Sequence, residues 1–208
     1  MDVNKIIEET KIVPVVVLNN EADAEPLAEA LLEGGLPVAE VTFRTDAAEA
    51  SIRKIADKFS DILVGAGTVT SVDQAERAVG AGAKFIVTAG FNRSVVEYAV
   101  SNKIPVFPGV CTPTELMLLL EYGLPVAKFF PAEQFGGLKT IKALAGPFPN
   151  MRFMPTGGIN AVNILDYLSY PKIIACGGSW MVKDALIKEG RFDEICRLTK
   201  EAVDLVKK

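Results

Sequence analysis

The chain contains no histidine, so the side chain that most often moves protons near neutral pH and most often binds metal ions is missing. Its three cysteines, Cys111, Cys176 and Cys196, lie far apart and form no CxxC pair. This spacing excludes the usual zinc and dithiol redox motifs, and we interpret the cysteines as reduced thiols. Any acid–base chemistry must therefore use carboxylates, lysines or hydroxyl groups.

The chain also lacks a strong charge of one sign and any long apolar run. The net charge is −4 and the basic residues are scattered, which argues against a surface for nucleic acid. The apolar stretch Ile12–Leu18 is too short to span a membrane, and the acidic N-terminus does not have the layout of a signal peptide. We expect a cytoplasmic protein without membrane partners, folded as one domain over residues 1–208.

Short apolar runs of strand length alternate with amphipathic helical stretches along the whole chain. The predicted strands are Ile12–Leu18, Val38–Arg44, Ile62–Gly65, Phe85–Thr88, Pro105–Pro108, Val126–Phe130, Arg152–Pro155 and Ile173–Cys176. The predicted helices are Ala22–Glu33, Ala47–Phe59, Val72–Ala81, Ser94–Ser101, Thr114–Tyr122, Leu138–Ala145, Asn160–Leu168 and Phe192–Lys207.

This alternation predicts an α/β protein, a (β/α)8 TIM barrel with eight parallel strands and an extra N-terminal segment. An open, doubly wound sheet is the structural alternative. No GxGxxG motif opens the first helix, and residues suited to chemistry follow several different strands. Both observations favour the barrel.

Lys128 is the most informative residue, because it lies inside a predicted buried strand between two prolines, Pro125 and Pro131. A buried ammonium group is costly unless it is paired or neutralised. A neutral, desolvated lysine is a strong nucleophile towards carbonyl groups. Burial beside Phe129 and Phe130 therefore suggests a covalent role, and an inert salt-bridged lysine is the alternative.

The second predicted strand carries an acid and a base on one face. Alternation along Val38–Arg44 places Glu40, Thr42 and Arg44 on the same side, with apolar residues on the other. In a barrel the polar side would point inward, towards the axis that Lys128 also faces. Glu40 is a candidate proton carrier; an internal ion pair between Glu40 and Arg44 is the alternative.

Two glycine-rich segments, Pro155–Asn160 and Cys176–Trp180, follow the last two predicted strands. Paired glycines let backbone N–H groups approach an anion, and the loops after strands seven and eight of a barrel commonly bind phosphate. Ordinary tight turns are the alternative. The candidate phosphate ligands are Gly157, Gly158, Gly178 and Ser179.

Three threonines stand at predicted strand ends. Thr68 lies in Gly65–Val69, where the glycines allow close approach to a ligand, and it offers a hydroxyl group. Thr88 and Thr156 occupy comparable positions. We take Thr68 and Thr156 as candidate substrate ligands.

These segments together resemble the 2-keto-3-deoxy-6-phosphogluconate (KDPG) and 4-hydroxy-2-oxoglutarate (KHG) aldolases, a class I, Schiff-base-forming family. The matching segments are Ala39–Thr45, Val64–Val69, Phe107–Val110, Thr112–Leu116, Lys128–Glu133, Gly146–Pro149, Pro155–Ile159 and Gly177–Trp180. They follow one another in order over nearly the whole chain, and the combination is highly specific.

The resemblance implies a role for each matching residue. Lys128 would form the imine with the substrate, Glu40 would be the general acid and base, and Arg44 and Thr68 would hold the pyruvate half. Gly158, Gly178 and Ser179 would surround the phosphate. The resemblance further implies a homotrimer that uses no metal and no cofactor.

One segment departs from the family pattern, which usually has Ser-Pro where this chain has Thr88-Ala89. The resemblance implies cleavage of KDPG to pyruvate and D-glyceraldehyde 3-phosphate, with activity on KHG as well. The 6-phosphogalactonate epimer is an alternative substrate. The other open alternatives are a phosphate-binding barrel isomerase or synthase without covalent lysine chemistry, a metal-dependent aldolase and an inactive scaffold.

Overall fold

The structure, a computed structural model, describes residues 2–207 as alternating strands and helices, so Met1 and Lys208 of the predicted domain lie outside the described residues. The strands are β1 Ile12–Val16, β2 Val38–Thr42, β3 Leu63–Gly67, β4 Ile86–Val87, β5 Val106–Phe107, β6 Gly109–Val110, β7 Val126–Phe129, β8 Arg152–Phe153 and β9 Cys176–Gly178. The helices are α1 Val3–Thr10, α2 Ala24–Glu33, α3 Ala48–Lys58, α4 Val72–Gly80, α5 Arg93–Ser101, α6 Pro113–Glu121, α7 Gly137–Ala145, α8 Ile164–Leu168, α9 Asp184–Lys188 and α10 Phe192–Val206. Two 3₁₀ helices cover Glu21–Asp23 and Glu133–Phe135.

The strands pair in parallel throughout, which confirms the predicted α/β class. Their regular ladders form a six-stranded sheet in the order β5-β4-β3-β2-β1-β9 and a three-stranded sheet in the order β6-β7-β8. Two isolated parallel bridges, Phe153 to Ile173 and Thr156 to Gly177, connect the end of β8 to the last strand region. Within residues 2–207 no helix has the length and apolar character needed to cross a bilayer.

Alternation along the strands separates an outer core from an inner one. Ala39 and Val41 of β2 belong to the outer core, which packs the strands against the helices. Val38 of β2 and Val126 of β7 belong to the inner core. The residue two positions further along each strand therefore points to the same side, just beyond the inner core. The inner core comprises Val3, Ile7, Val13, Val38, Leu63, Phe85, Val87, Phe107, Val126, Met154, Ile174 and Ala175.

The predicted N-terminal segment is helix α1. It packs against the inner core at the amino-terminal ends of the strands. Asp2 caps the helix, because its side chain accepts a hydrogen bond from the Lys5 N–H at 3.2 Å. Val3 and Ile7 insert into the inner core, and Glu8 pairs with Arg152 of β8. The helix is thus tied to the strands by apolar burial.

We expect Ile7→Ala to lower the free energy of unfolding by about 2–5 kcal/mol, the usual range for truncating a fully buried aliphatic side chain. Ile7 has no exposed surface, so the substitution leaves a cavity in the inner core. Denaturant unfolding measures the loss. Val100→Ala on α5 is the control, because Val100 is 39% exposed and its truncation should change stability by less than about 0.5 kcal/mol. Equal losses in the two variants would contradict a packing role for α1.

Most predicted strands are longer than the observed ones, and two differ in more than length. The predicted strand Pro105–Pro108 contains only β5, and an unpredicted strand, β6, follows Pro108, which has no N–H to donate to a ladder. The predicted strand Ile173–Cys176 begins three residues later, at Cys176. Residues 173–175 are buried, but Ile173 makes only an isolated bridge. Apolar burial alone therefore does not predict where the regular strand pairing begins.

Two helices also differ from prediction. The predicted helix Asn160–Leu168 is helical only as α8, because side chains occupy the backbone groups before it. The Asn160 side chain accepts from the Val162 N–H at 2.8 Å, and Asn163 accepts from the Asn160 N–H at 2.9 Å. Helix α9 was not predicted, since five residues are too few to show a helical period.

Candidate active site

Lys128 and Glu40 form a buried pair across the inside of the structure. The Lys128 Nζ lies 3.6 Å from Glu40 Oε1, and the two residues are 3% and 0% exposed. Lys128 lies two residues after Val126 on β7, and Glu40 lies two residues after Val38 on β2. Their positions just beyond the inner core confirm that both side chains point inward.

The Glu40 carboxylate has no hydrogen-bond donor among the described residues, at either oxygen. A buried carboxylate without donors is costly, so its retention calls for a functional explanation. Gly67 of β3 makes room for it, because a Cβ atom at that position would collide with Glu40 Oε1. The Glu40 oxygens are therefore free to accept a hydrogen bond from a substrate hydroxyl group or a water molecule.

The two phenylalanines beside Lys128 lie on opposite sides of β7. The Lys128 Nζ stands 5.1 Å from the centre of the Phe130 ring. Phe129 belongs to the outer core, so of the two phenylalanines that follow Lys128 in the sequence only Phe130 shares its face. Strand alternation explains the difference, because neighbouring residues face opposite ways.

Arg44 does not pair with Glu40, contrary to the alternative of an internal ion pair. Its Nε donates to Thr42 Oγ1 at 3.3 Å, and Thr42 in turn donates to the Val16 carbonyl at 2.9 Å. Arg44 is exposed, whereas Thr42 is fully buried. The guanidinium group is therefore held at the edge of the site with donors free for an anion.

Arg44 opens onto a cavity of about 530 Å³, here called the mouth cavity. Its lining includes Arg44, Gly158, Ile159, Ser179, Trp180 and Lys183. The structure thus brings Arg44, which was predicted at the pyruvate end, to the same cavity as Gly158 and Ser179, which were predicted at the phosphate end. Lys183 was not predicted; it is an exposed lysine next to the unpredicted helix α9, and nothing in its sequence context distinguishes it.

Of the other glycine candidates, Gly157 lies in the loop after β8, whereas Gly178 is the last residue of β9, so the predicted glycine loop after the last strand is wrong for Gly178. Gly157 and Gly158 have φ angles of 105° and 78°, in the region that favours glycine. Gly178 carries the Trp180 ring directly over its α-carbon, where a Cβ atom would collide. Within residues 2–207 the Gly158 and Ile159 N–H groups donate to no other residue, which leaves them available to a bound anion.

Thr68 and Thr156 lie at strand ends, as predicted. Thr68 follows Gly67 and has a φ of 56°, an outlier for a β-branched residue. Such strain costs about 1–3 kcal/mol and concentrates at functional sites. Thr156 is 6% exposed, and its buried Oγ1 has no partner among the described residues. The backbone strain at Thr68 and the unpartnered hydroxyl of Thr156 both cost free energy, and packing of the fold alone explains neither.

Thr88, where the chain departs from the family pattern, supports the strand next to Lys128. Its Oγ1 accepts from the Gly109 N–H at 3.1 Å and donates to the Gly90 carbonyl at 2.7 Å. Gly109 of β6 is the residue in register with Lys128. The threonine hydroxyl thus fixes the turn at residues 88–90 without a proline.

The three cysteines are free, with Cys176 buried and Cys111 and Cys196 partly buried. Burial raises the pKa of the Cys176 thiol. Among residues 2–207 no group of three or more histidine, cysteine, aspartate or glutamate side chains is arranged to hold a metal ion. The polar groups of the site are therefore a lysine, a carboxylate, hydroxyls, a guanidinium group and backbone N–H groups.

Comparison with known protein families gives a match over nearly the whole chain. The sequence model of the KDPG and KHG aldolases matches residues 3–198. The chain belongs to this aldolase family. A 2-dehydro-3-deoxy-phosphogluconate aldolase of Haemophilus influenzae is 47% identical over 201 residues, which cover 97% of this chain and 95% of that protein.

Solved structures of aldolases agree over the same length. The crystal structure of a KDPG aldolase from Legionella pneumophila, with pyruvate captured as a covalent carbinolamine intermediate, gives a TM-score of 0.93 at 39% identity and covers 97% of this chain and 98% of that one. A 2-keto-3-deoxy-6-phosphogluconate aldolase of Zymomonas mobilis with 3-phosphoglycerate gives 0.90 at 39% identity, covering 97% and 95%.

Proposed function

We propose that this protein is a class I aldolase that cleaves KDPG to pyruvate and D-glyceraldehyde 3-phosphate, and KHG to pyruvate and glyoxylate. The observation that carries the proposal is the buried ion pair of Lys128 and Glu40, 3.6 Å apart, with no hydrogen-bond donor on the carboxylate among residues 2–207. A lysine beside a proton acceptor is the arrangement that imine chemistry needs. The family membership and the carbinolamine in the Legionella enzyme support the same reaction.

The first half of the reaction forms the imine. The unprotonated Lys128 amine attacks the C2 keto carbon of the substrate and gives a carbinolamine. Glu40 transfers protons between nitrogen and oxygen, so that the former keto oxygen leaves as water. The product is a protonated imine, which can accept an electron pair from the neighbouring carbon–carbon bond.

The second half cleaves the C3–C4 bond. Glu40 accepts the proton of the C4 hydroxyl, the C4–O bond becomes a carbonyl, and the bonding electrons move into the imine. The aldehyde leaves, and a three-carbon enamine stays on Lys128. Protonation at C3 and hydrolysis of the imine then release pyruvate and restore the free lysine.

The two ends of the substrate require different recognition. We assign the pyruvate carboxylate to Arg44, whose guanidinium suits a planar acid, with the hydroxyls of Thr68 and Thr156 on the same half. We assign the phosphate to the mouth cavity, where Gly157 and Gly158 shape the loop after β8 and Gly178 and Ser179 lie at the carboxyl end of β9. In this assignment, Lys183 adds positive charge at the entrance.

We also propose that the strands close into an eight-stranded barrel. The Thr156–Gly177 bridge joins the edge of the three-stranded sheet to the edge of the six-stranded sheet. At the other junction only Pro108 separates β5 from β6, so the two short strands count as one position. Closure would place the carboxyl ends of all strands around one mouth, where barrel active sites lie.

Reduction with borohydride in the presence of pyruvate, followed by peptide mass mapping, tests the reaction class. We expect a reduced pyruvate adduct on Lys128. A folded protein that gives no adduct contradicts the Schiff-base mechanism, and an adduct on a different lysine contradicts the site. Rates on KDPG and on its galactonate epimer then decide between the two phosphorylated substrates.

Arg44→Ala should weaken pyruvate binding about 10- to 100-fold, the range expected for losing a charged hydrogen-bonding partner. The pyruvate concentration that half-saturates borohydride trapping measures this affinity. Arg53→Ala is the matched control, because Arg53 is an exposed arginine of α3 that does not line the mouth cavity. Unchanged half-saturation in Arg44→Ala would refute its assignment to the carboxylate.

A homotrimer and a cytoplasmic location stay predictions from the sequence. Exposed apolar side chains that a contact between copies could bury include Met117 and Leu120 on α6 and Phe135 beyond β7. Light scattering should give three times the mass of one chain.

A further inference from the structure

Glu133 and Tyr167 form a side-chain pair behind the mouth cavity that none of the proposed catalytic steps uses. The Tyr167 hydroxyl, on α8, donates to Glu133 Oε1. Tyr167 is 2% exposed, and burial together with this hydrogen bond raises its pKa far above the ordinary value. The pair links the segment after β7 with the helix that follows the glycine loop.

The backbone around Glu133 is joined to the glycine loop residue by residue. The Ala132 N–H donates to the Thr156 carbonyl at 2.8 Å, and the Glu133 N–H donates to the Gly157 carbonyl at 3.1 Å. The Glu133 side chain lies on Gly158, where an added Cβ atom would stand 2.5 Å from Glu133 Cγ. The glycine loop therefore rests directly on Glu133.

The far side of the loop is fixed by amide side chains. The Gly158 carbonyl accepts from Asn163 Nδ2 at 3.1 Å and from Asn160 Nδ2 at 3.3 Å. With the carbonyl turned towards α8, the Gly158 and Ile159 N–H groups are the ones left for the mouth cavity. The loop conformation thus depends on contacts from two sides.

The pair also controls where a negative charge lies. Glu133 is an exposed carboxylate below a loop that we assign to a phosphate dianion, and like charges repel. The Tyr167 hydroxyl holds the carboxylate on the α8 side of the loop. Gly137, at the start of α7, leaves space for this arrangement, because a Cβ atom there would stand 2.7 Å from the Tyr167 hydroxyl oxygen.

We infer that Glu133 and Tyr167 are positioning residues for phosphate recognition: they hold the Gly157–Gly158 loop in place and keep the Glu133 carboxylate away from the bound phosphate. The inference rests on the proposed function, since it concerns the phosphate end of the same substrate. In this inference neither Glu133 nor Tyr167 contacts the reacting atoms. Substituting either residue should therefore affect the binding of phosphorylated substrates and not that of unphosphorylated ones.

Tyr167→Phe removes the hydroxyl and keeps the ring. We expect KM for KDPG to rise about tenfold, the cost of one lost hydrogen bond to a charged group, with kcat changed less than about twofold. KM for KHG, which has no phosphate, should stay within about twofold of the original value. Equal increases in KM for KDPG and KHG would overturn the inference in favour of a structural role. A lower melting temperature without a difference in KM between the two substrates would also overturn it.

Glu133→Gln supplies the second test, because its amide oxygen still accepts from Tyr167 but carries no charge. Alone it should leave KM for KDPG unchanged or lower. In the Tyr167→Phe background it should restore KM for KDPG to within about threefold of the original value. A double variant as impaired as Tyr167→Phe would overturn the charge argument. Borohydride trapping of pyruvate by the unmodified protein tests the proposed function separately, because pyruvate carries no phosphate.

Discussion

Lys128→Arg should abolish the borohydride-trapped pyruvate adduct and lower turnover of KDPG more than about 10⁴-fold. The arginine keeps the positive charge beside Glu40, 3.6 Å away in the present pair, but a guanidinium group stays protonated and cannot attack a carbonyl carbon. The loss should therefore fall on covalent chemistry. Adduct mass and single-turnover rate measure the two effects.

Lys172→Arg is the matched control for this substitution. Lys172 is a partly buried lysine whose Nζ donates to the carbonyls of Ala145 and Phe148, a structural task that arginine can also perform. The Lys172→Arg variant should still form the pyruvate adduct on Lys128 and keep its turnover of KDPG. If Lys128→Arg still turned over KDPG at an appreciable rate, the imine mechanism would be refuted, and a phosphate-binding isomerase or synthase would gain support.

Glu40→Gln should lower kcat by about 10²- to 10⁴-fold, the usual contribution of a positioned general acid or base. Glutamine has nearly the same shape, so it fits the space that Gly67 leaves, but it cannot accept the C4 hydroxyl proton. The KM for KDPG should change little, because Glu40 acts on protons that move only during the reaction.

Trapping kinetics separate this role from a purely electrostatic one. Borohydride should still capture pyruvate on Lys128 in Glu40→Gln, but adduct formation should be slower, since carbinolamine dehydration loses its proton carrier. A variant with unchanged kcat and a raised KM would show that Glu40 serves binding. It would remove Glu40 from the catalytic steps.

The sequence was sufficient where local pattern decides the outcome. Alternation along β2 placed Glu40 on the inner face, and the same rule applied to β7 placed Lys128 opposite it. The first glycine pair marked the loop that carries Gly158 to the mouth cavity, whereas the second pair, Gly177 and Gly178, lies within β9 just before Ser179. The inferences for Glu40 and Lys128 need only the period of a strand and its direction in a parallel sheet.

The remainder depends on contacts between distant parts of the chain. No local pattern indicates that Tyr167 reaches Glu133 or that Lys183 lines the mouth cavity. The division between β5 and β6 and the short helix α9 were missed because two- and five-residue elements carry too little periodicity. The shortening of α8 has a different cause, because side-chain hydrogen bonds at Asn160 compete with the helix.

The left-handed backbone of Thr68 has a consequence for engineering this enzyme. Glycine or asparagine tolerates a φ of 56° far better than threonine, so a search for thermostabilising substitutions guided by backbone geometry would select this position early. Replacement would relax the main chain and remove the hydroxyl that we assign to the pyruvate half. Thermostability and turnover would then change in opposite directions, which makes Thr68 a position to exclude from any stabilising library.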